Sequence, residues 1–290
     1  MTAITKTHRV LFAGAVALAA GPTASEGATV RVATAATSID AGASQNVRVS
    51  RASHDEAIGR LCGGAFDVVT GPRPMSHAER SACAVAGRPA FEVPIGYEAL
   101  VVVAEDAPWM DAITTSEIAR AFGRSASGER TRASDLRAGW PDTPITLAAE
   151  ARVEGRLAVE DTAPLAGGVR DDVTRVASAA GLAPRPSEAL IAILRYDARA
   201  ALPATLRAVP VVEDAQGATP IAPSPRTLQR HEYRALARLA YAHATAPTAT
   251  RPAVLAVLTR LIDAPTDLVA VSDEARAFAH AQLAVRAHGR

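Results

Sequence analysis

Residues that could do chemistry are spread thinly along this 290-residue chain. The two cysteines, Cys62 and Cys83, lie about twenty residues apart, which excludes a CxxC redox or metal motif. None of the seven histidines pairs with a cysteine at zinc-finger spacing. The sequence contains no Gly-x-Ser-x-Gly elbow, no phosphate-binding loop and no HExxH motif, so we expect no enzyme activity, no metal site and no cofactor.

The first residues decide what the cysteines can do. Basic residues precede an uncharged apolar stretch at 10–20, and small residues follow it, which is the pattern of a secretory signal. The apolar stretch is shorter than the ~20 residues that span a bilayer, and an N-terminal membrane anchor is the alternative. We predict that residues 1–27 are a signal peptide, which leaves a soluble periplasmic protein that begins near Glu26 or Ala28. Disulfides persist in the periplasm, so we predict a Cys62–Cys83 bridge worth ~3 kcal/mol, with two buried thiols as the alternative.

The composition limits the partners of the mature chain. Removing residues 1–27 takes away Lys6, Arg9 and Glu26, which brings the net charge from +1 to zero. Without a basic field or a polybasic stretch, we expect no binding to nucleic acid or to anionic membranes. The hydrophobic content of 49% is enough for the core of one large domain or of two lobes.

Short apolar strands alternate with helical stretches, which indicates α/β architecture. Ser76 with Glu79 and Thr114 with Glu117 fit the capping box, and each pair predicts the start of a helix. We predict strands at 29–33, 66–70, 91–103, 144–149 and 208–212. We predict helices at 76–86, 114–122, 134–138, 170–180, 187–194, 232–243, 251–262 and 273–287.

Two segments are candidates for passages between lobes: the extended run near Leu100 and the proline-rich segment near Pro220. Two passages imply that one lobe is built from both chain ends and the other from the middle of the chain. We predict that residues 28–101 and 222–290 form lobe I and that residues 102–221 form lobe II.

Several motifs follow one another in a recognisable order. Cys62 precedes a Gly-Gly turn, an apolar strand, the Pro-Arg-Pro sequence around Arg73, a helix and Cys83. Downstream come IGYEALVVV at 95–103, APW at 107–109, WPD at 140–142 and APSPRTL at 222–228. In these motifs the chain resembles the phosphate-binding proteins of ABC-type importers, the PstS-like proteins. The resemblance implies an α/β, two-lobed type II periplasmic binding protein fold, in which a small oxyanion such as phosphate binds in a cleft between the lobes. It also implies a monomer that serves an ABC permease.

The resemblance places ligand contacts on three loops and on Arg73. It implies Thr37 and Ser38 as donors in the first loop. It implies Arg152, Gly155 and Arg156 as contacts in the third loop.

The second loop and the lost donors leave the ligand open. There the family's glycine cluster is replaced by residues 54–57, and an ordinary helix capped by Ser53 fits this sequence better, because Asp55 and Glu56 repel an anion. Several serine donors of the family are also replaced in this chain. The alternative function is therefore a diverged domain that no longer binds phosphate and acts as a sensor or interaction module.

Overall fold

The computed structural model describes residues 29–34, 46–128, 131–151, 153 and 164–287, and the predicted signal peptide lies outside them. Within these residues the chain forms eleven strands and eight helices, apart from short 3-10 turns. The strands are β1 (Val30–Thr34), β2 (Val47–Arg51), β3 (Val68–Gly71), β4 (Ala90–Glu105), β5 (Ile113–Thr114), β6 (Ile145–Glu150), β7 (Thr174–Val176), β8 (Ala189–Arg195), β9 (Leu206–Ala208), β10 (Val211–Val212) and β11 (Ala237–Thr245). The helices are α1 (His54–Cys62), α2 (His77–Val85), α3 (Thr115–Phe122), α4 (Ala133–Leu136), α5 (Pro225–Gln229), α6 (Ala246–Ala249), α7 (Pro252–Asp263) and α8 (Asp273–Ala287).

Nine strands form one mixed sheet in the order β2-β1-β3-β11-β4-β8-β6-β7, with β9 also paired to β4. Strand β1 is parallel to β2 and β3, and β6 is parallel to β7 and β8. Strand β11 is antiparallel to both β3 and β4, and β4 is antiparallel to β8. The predicted α/β architecture is confirmed.

The long strand β4 is shared by the two halves of the sheet. Its residues 90–99 pair with β11, and its residues 100–104 pair with β8. Residues 95–104 are all buried, as expected for a strand of continuous apolar sequence that is covered on both faces. We call the half with β1, β2, β3 and β11 lobe I, and the half with β6, β7 and β8 lobe II.

Each lobe has its own core. In lobe I, α1 and α2 pack on one face of the sheet and α7 and α8 pack on the other. In lobe II, the core surrounds β6, β8 and the second part of β4. Leu228 and Leu236 pack with the lobe II core although they follow Pro220. The predicted limits of the lobes stay a prediction, and this packing favours a second passage close to β11.

Three predicted helices are wrong, and the strands β2, β5 and most of β9 were not predicted. Of the helix predicted at 187–194, residues 189–194 lie in β8; residues 232–243 contain most of β11, and residues 170–180 contain β7. The runs in β8 and β11 are apolar because the sheet buries them, and a short apolar run does not distinguish a buried strand from a buried helix. Strand β2 has mostly exposed side chains, and its alternation of Val47 and Val49 with polar residues is too short to identify a strand.

The capping predictions and the disulfide are confirmed. Ser76 with Glu79 caps α2, and Thr114 with Glu117 caps α3. A disulfide joins Cys62, the last residue of α1, to Cys83 of α2. The bridge therefore fixes the two helices of lobe I that cover the same face of the sheet.

Candidate functional site

The carboxyl ends of two sets of strands face each other across the middle of β4. In lobe I, Gly71 at the end of β3 is paired through Tyr241 to Pro94 of β4. In lobe II, Arg195 at the end of β8 pairs with Leu100 of β4. Strand β3 runs in the direction of β4 and β8 runs against it, so both end over the stretch from Pro94 to Leu100, which is about 20 Å long in an extended strand. Ligands of open α/β sheets bind outside the carboxyl ends of strands, which makes this gap the candidate cleft.

Arg73 lies on the lobe I wall of the cleft, just after β3. Its Nη1 and Nη2 donate to Oε2 and Oε1 of Glu79, each at 2.8 Å. Its Nη2 also donates to Oδ1 of Asp55 at 2.7 Å, and its Nη1 donates to the carbonyl oxygen of Pro74 at 3.0 Å. Two carboxylates of the same lobe therefore hold the guanidinium of Arg73, which the sequence predicts as a ligand contact.

Glu79 is fixed by the helix that it caps. The backbone N–H of Ser76 donates to Oε2 of Glu79 at 2.6 Å, and the N–H of Glu79 donates to Oγ of Ser76 at 3.2 Å. The hydrogen bonds from Arg73 are the largest influence on this carboxyl and lower the pKa of Glu79 to about 2, although burial acts in the opposite direction. Glu79 is therefore ionised at neutral pH and is a structural partner of Arg73.

The start of α1 offers little to an anion. Ser53 is its N-cap, as predicted, and accepts a hydrogen bond from the N–H of Glu56 at 3.4 Å. Asp55 and Glu56 lie in the first turn, where their negative charge complements the positive end of the helix dipole. Glu56 also pairs with Arg60 at 3.3 Å. The helix terminus is thus neutralised by its own side chains.

His54, the first residue of α1, packs against the end of β3. A Cβ on Gly71 would lie 2.1 Å from Nδ1 of His54, so only glycine allows this approach. The rings of His54 and His243 meet edge to face, with their centroids 5.3 Å apart. Burial, and then the charges of His243 and Arg73, lower the pKa of His54 to about 4. The imidazole of His54 is therefore neutral at pH 7.

Arg195 occupies the lobe II wall and is more deeply buried than Arg73. Its side chain is 12% exposed, compared with 33% for Arg73. Its Nε donates to Oε1 of Glu150 at 2.7 Å, and its backbone N–H donates to Oε2 of Glu150 at 3.0 Å. Its Nη1 lies 2.9 Å from Oδ2 of Asp197 and 2.9 Å from Oδ1 of Asp267.

Each of the two cleft arginines therefore pairs with more than one carboxylate. Two carboxylates hold Arg73 and three hold Arg195. Arginine binds an oxyanion through the same donors that these carboxylates occupy. An oxyanion in the cleft must displace a carboxylate or bind to other groups.

The other predicted ligand contacts lie outside the described residues. They are Thr37, Ser38, Arg152, Gly155 and Arg156. In sequence they follow β1 and β6, whose carboxyl ends border the cleft. Their roles stay a prediction.

The sequence could have indicated the Arg195 cluster only if β8 had been recognised as a strand. Glu150 and Arg195 end two neighbouring parallel strands, and this position brings their side chains together. The predicted helix at 187–194 concealed that relation. Asp267 arrives from a loop near the other end of the chain, and no local pattern connects it to Arg195.

Two solved structures share the fold of this chain. A possible phosphate binding protein from Planctomyces limnophilus has a TM-score of 0.75 at 20% sequence identity, covering 90% of this chain and 99% of that chain. PstS from Borrelia burgdorferi has a TM-score of 0.52 at 15% identity, covering 80% of this chain and 92% of that chain. At these identities the similarity concerns the fold, and it confirms the predicted two-lobed type II periplasmic binding protein fold.

Sequence comparisons add the family. Protein SphX of Synechococcus elongatus is 30% identical over 130 residues, which cover 44% of this chain and 39% of that protein. Protein SphX of Synechocystis is 26% identical over 197 residues, which cover 65% of this chain and 57% of that protein. The matched regions thus span less than two thirds of these relatives. The model of the PBP superfamily domain matches residues 13–174, and the chain belongs to this superfamily.

Within the described part of the chain, no helix is both long enough and apolar enough to cross a membrane.

Proposed function

We propose that this protein is a periplasmic solute-binding protein that holds a small ligand in the cleft over residues 94–100 of β4. The observation that carries the proposal is the opposition of the strand ends of the two lobes at that stretch. The solved structures of similar fold support it, since they are described as a possible phosphate binding protein and as PstS. A small oxyanion, with phosphate as the first candidate, is the ligand class that we propose.

The ligand would be bound by groups of both lobes. Arg73 and the donors Thr37 and Ser38 would contribute from lobe I. Arg152, Gly155 and Arg156 would contribute from lobe II. Phosphate that reaches Arg73 replaces Asp55 on Nη2, because Asp55 is 85% exposed and Glu79 is fixed by the capping box.

Thermal unfolding of the mature protein with phosphate, sulfate, molybdate and small organic anions tests this function. A ligand at a hundredfold excess over its Kd stabilises the folded state by ~2.7 kcal/mol. An upward shift of Tm with one of these anions, and a matching Kd by calorimetry, is the expected result. No shift with any of them removes the proposed oxyanion ligand.

One observation favours a second function, a diverged domain that acts as a sensor or interaction module. Carboxylates of the protein itself already occupy the guanidinium groups of both cleft arginines. A protein whose cleft arginines are paired with its own carboxylates can keep the fold without binding an anion. For this second function we expect two results: Tm stays unchanged when phosphate is added, and a protein partner is recovered from the periplasm.

The location and partners of the importer component complete the proposal. Residues 1–27 would direct export to the periplasm, and the mature protein would serve the permease of an ABC importer as a monomer. N-terminal sequencing of the exported protein should give a start near Glu26 or Ala28. Light scattering should give the mass of one mature chain, and a dimer would contradict the proposed monomer.

A further inference from the structure

The connection between α7 and α8, residues 264–272, reaches from lobe I to lobe II, and we call it the strap. Both helices that it joins pack in the lobe I core. Leu268 of the strap packs against that same core. Val271, three residues later, is 3% exposed and belongs to the lobe II core. A loop between two helices of one lobe thus places a side chain in the core of the other lobe.

The strap is bonded to the middle of β4, on the side opposite β11. The N–H of Tyr97 donates to the carbonyl oxygen of Val269 at 2.7 Å, and the N–H of Val269 donates to that of Tyr97 at 2.8 Å. A Cβ on Gly96 would lie 2.8 Å from Cβ of Leu268 and 3.0 Å from the carbonyl oxygen of Val269. Only glycine at position 96 lets the strap approach this closely. The strap therefore contacts β4 at the stretch that lies under the cleft.

Asp267 of the strap contacts Arg195, which lies on the lobe II wall of the cleft. Its Oδ1 lies 2.9 Å from Nη1 of Arg195, and its side chain is 16% exposed. Its φ of 61° is in the left-handed region, which Asp and Asn adopt more easily than most residues. Arg195 in turn donates to both carboxylate oxygens of Glu150, the last residue of β6. Residue 150 comes directly before the predicted lobe II ligand loop.

We propose that Asp267 is an interlobe positioning residue of the cleft, which holds Arg195, and through it Glu150, at one position relative to lobe I. The two Tyr97–Val269 hydrogen bonds fix the strap on β4, so opening the cleft requires the Asp267–Arg195 contact to break. The proposal does not rest on the proposed function, since the Asp267–Arg195 contact joins the strap to lobe II whatever the ligand is.

The substitution Asp267→Asn tests the proposal, because it removes the charge and keeps both the size and the tolerance for a left-handed backbone. The matched control is Asp263→Asn. Asp263 contacts His280 at 2.7 Å, and both residues belong to the helices of lobe I. Spin labels carried by unnatural amino acids at position 278 of α8, where Phe278 is 60% exposed, and at the exposed position 124 of lobe II report the distance between the lobes.

We expect one narrow distance distribution in the wild type and in Asp263→Asn, and a broader or longer one in Asp267→Asn. Amide exchange at Tyr97 and Val269 should be about tenfold faster in Asp267→Asn and unchanged in the control. Val269→Pro removes one of the two hydrogen bonds to Tyr97 and should broaden the distribution in the same way.

A wild type that already samples two distances overturns the proposal. So does an unchanged distribution in both Asp267→Asn and Val269→Pro, since the strap would then hold nothing. Neither readout needs a ligand, so a cleft that binds no anion would end the proposed function and leave this test intact.

Discussion

The two arginines of the cleft walls differ in where their partners come from. Arg73 pairs with Asp55 and Glu79, which belong to the two helices next to it in sequence and in the same lobe. Arg195 draws its partners from the end of the neighbouring strand, from its own strand end and from the strap. An arginine with local, partly exposed partners can exchange one of them for a ligand. An arginine that is itself buried, and whose partners come from three segments, is part of the fold.

The substitution Glu150→Gln tests whether the Arg195 cluster contributes more to stability than the Arg73 cluster. Glu150 is 1% exposed, and its loss leaves a buried guanidinium short of its main partner. We expect the free energy of unfolding to fall by about 3 kcal/mol, the low end for a broken buried pair because two aspartates remain. Urea denaturation measures it. Glu79→Gln removes a partner of the more exposed Arg73 and should lower the free energy of unfolding by about 1 kcal/mol. Equal losses for the two substitutions would contradict the distinction between a structural Arg195 and an exchangeable Arg73.

The second test concerns the pH dependence of the lobe I wall. The pKa of His54 is lowered to about 4, so the unfolded chain binds a proton between pH 6.5 and 4 that the folded chain does not. Stability due to the neutral His54 is therefore complete above pH 6.5 and is lost as the pH falls towards 4. We expect the loss to be about 2 kcal/mol, below the full linkage value because the ring is only partly buried.

The matched variants for this test are His54→Asn and His280→Asn. Unfolding free energies measured at intervals from pH 7 to pH 4 should show a flatter pH profile for His54→Asn than for the wild type. His280 of α8, which packs on the other face of the lobe I sheet, is the comparison site. Identical profiles for all three proteins would show that His54 titrates alike in the folded and unfolded chains.

The smallest expected effect on stability belongs to Asp55→Asn. Asp55 is 85% exposed, so the free energy of unfolding should change by less than about 1 kcal/mol. Phosphate should bind about tenfold more tightly, because Nη2 of Arg73 is freed and one negative charge is removed from the lobe I wall. Calorimetry measures the Kd. Glu56→Gln, in the same turn but paired with Arg60, is the control, and the same phosphate affinity in both variants would remove Arg73 from the site.

Local signals predicted the first half of the chain well. Ser76 with Glu79 and Thr114 with Glu117 act within one helical turn, so a single sequence is enough to recognise them. The disulfide followed from the expected compartment and the spacing of two cysteines. Strands β8 and β11 were misread because what makes them strands is their neighbours in the sheet, which come from distant parts of the chain.

The charges of the site were harder to predict than its position. The motif around Arg73 predicts it as a ligand contact, which stays a prediction, and the repulsion of an anion by Asp55 and Glu56 is expected from their place in α1. That Asp55 reaches Arg73 depends on the distance between α1 and the turn after β3, which only tertiary packing sets. Asp267 contacts Arg195 from the far end of the chain.

The central place of β11 has a consequence for how the chain folds. Lobe I cannot close its sheet until β11 is inserted between β3 and β4, and β11 is made after all the strands of lobe II. Contacts between such distant segments give a high contact order, which slows folding. During synthesis the N-terminal strands therefore remain without their central neighbour while more than half of the chain is made. Lobe II, whose strands are all made earlier, can form its core first.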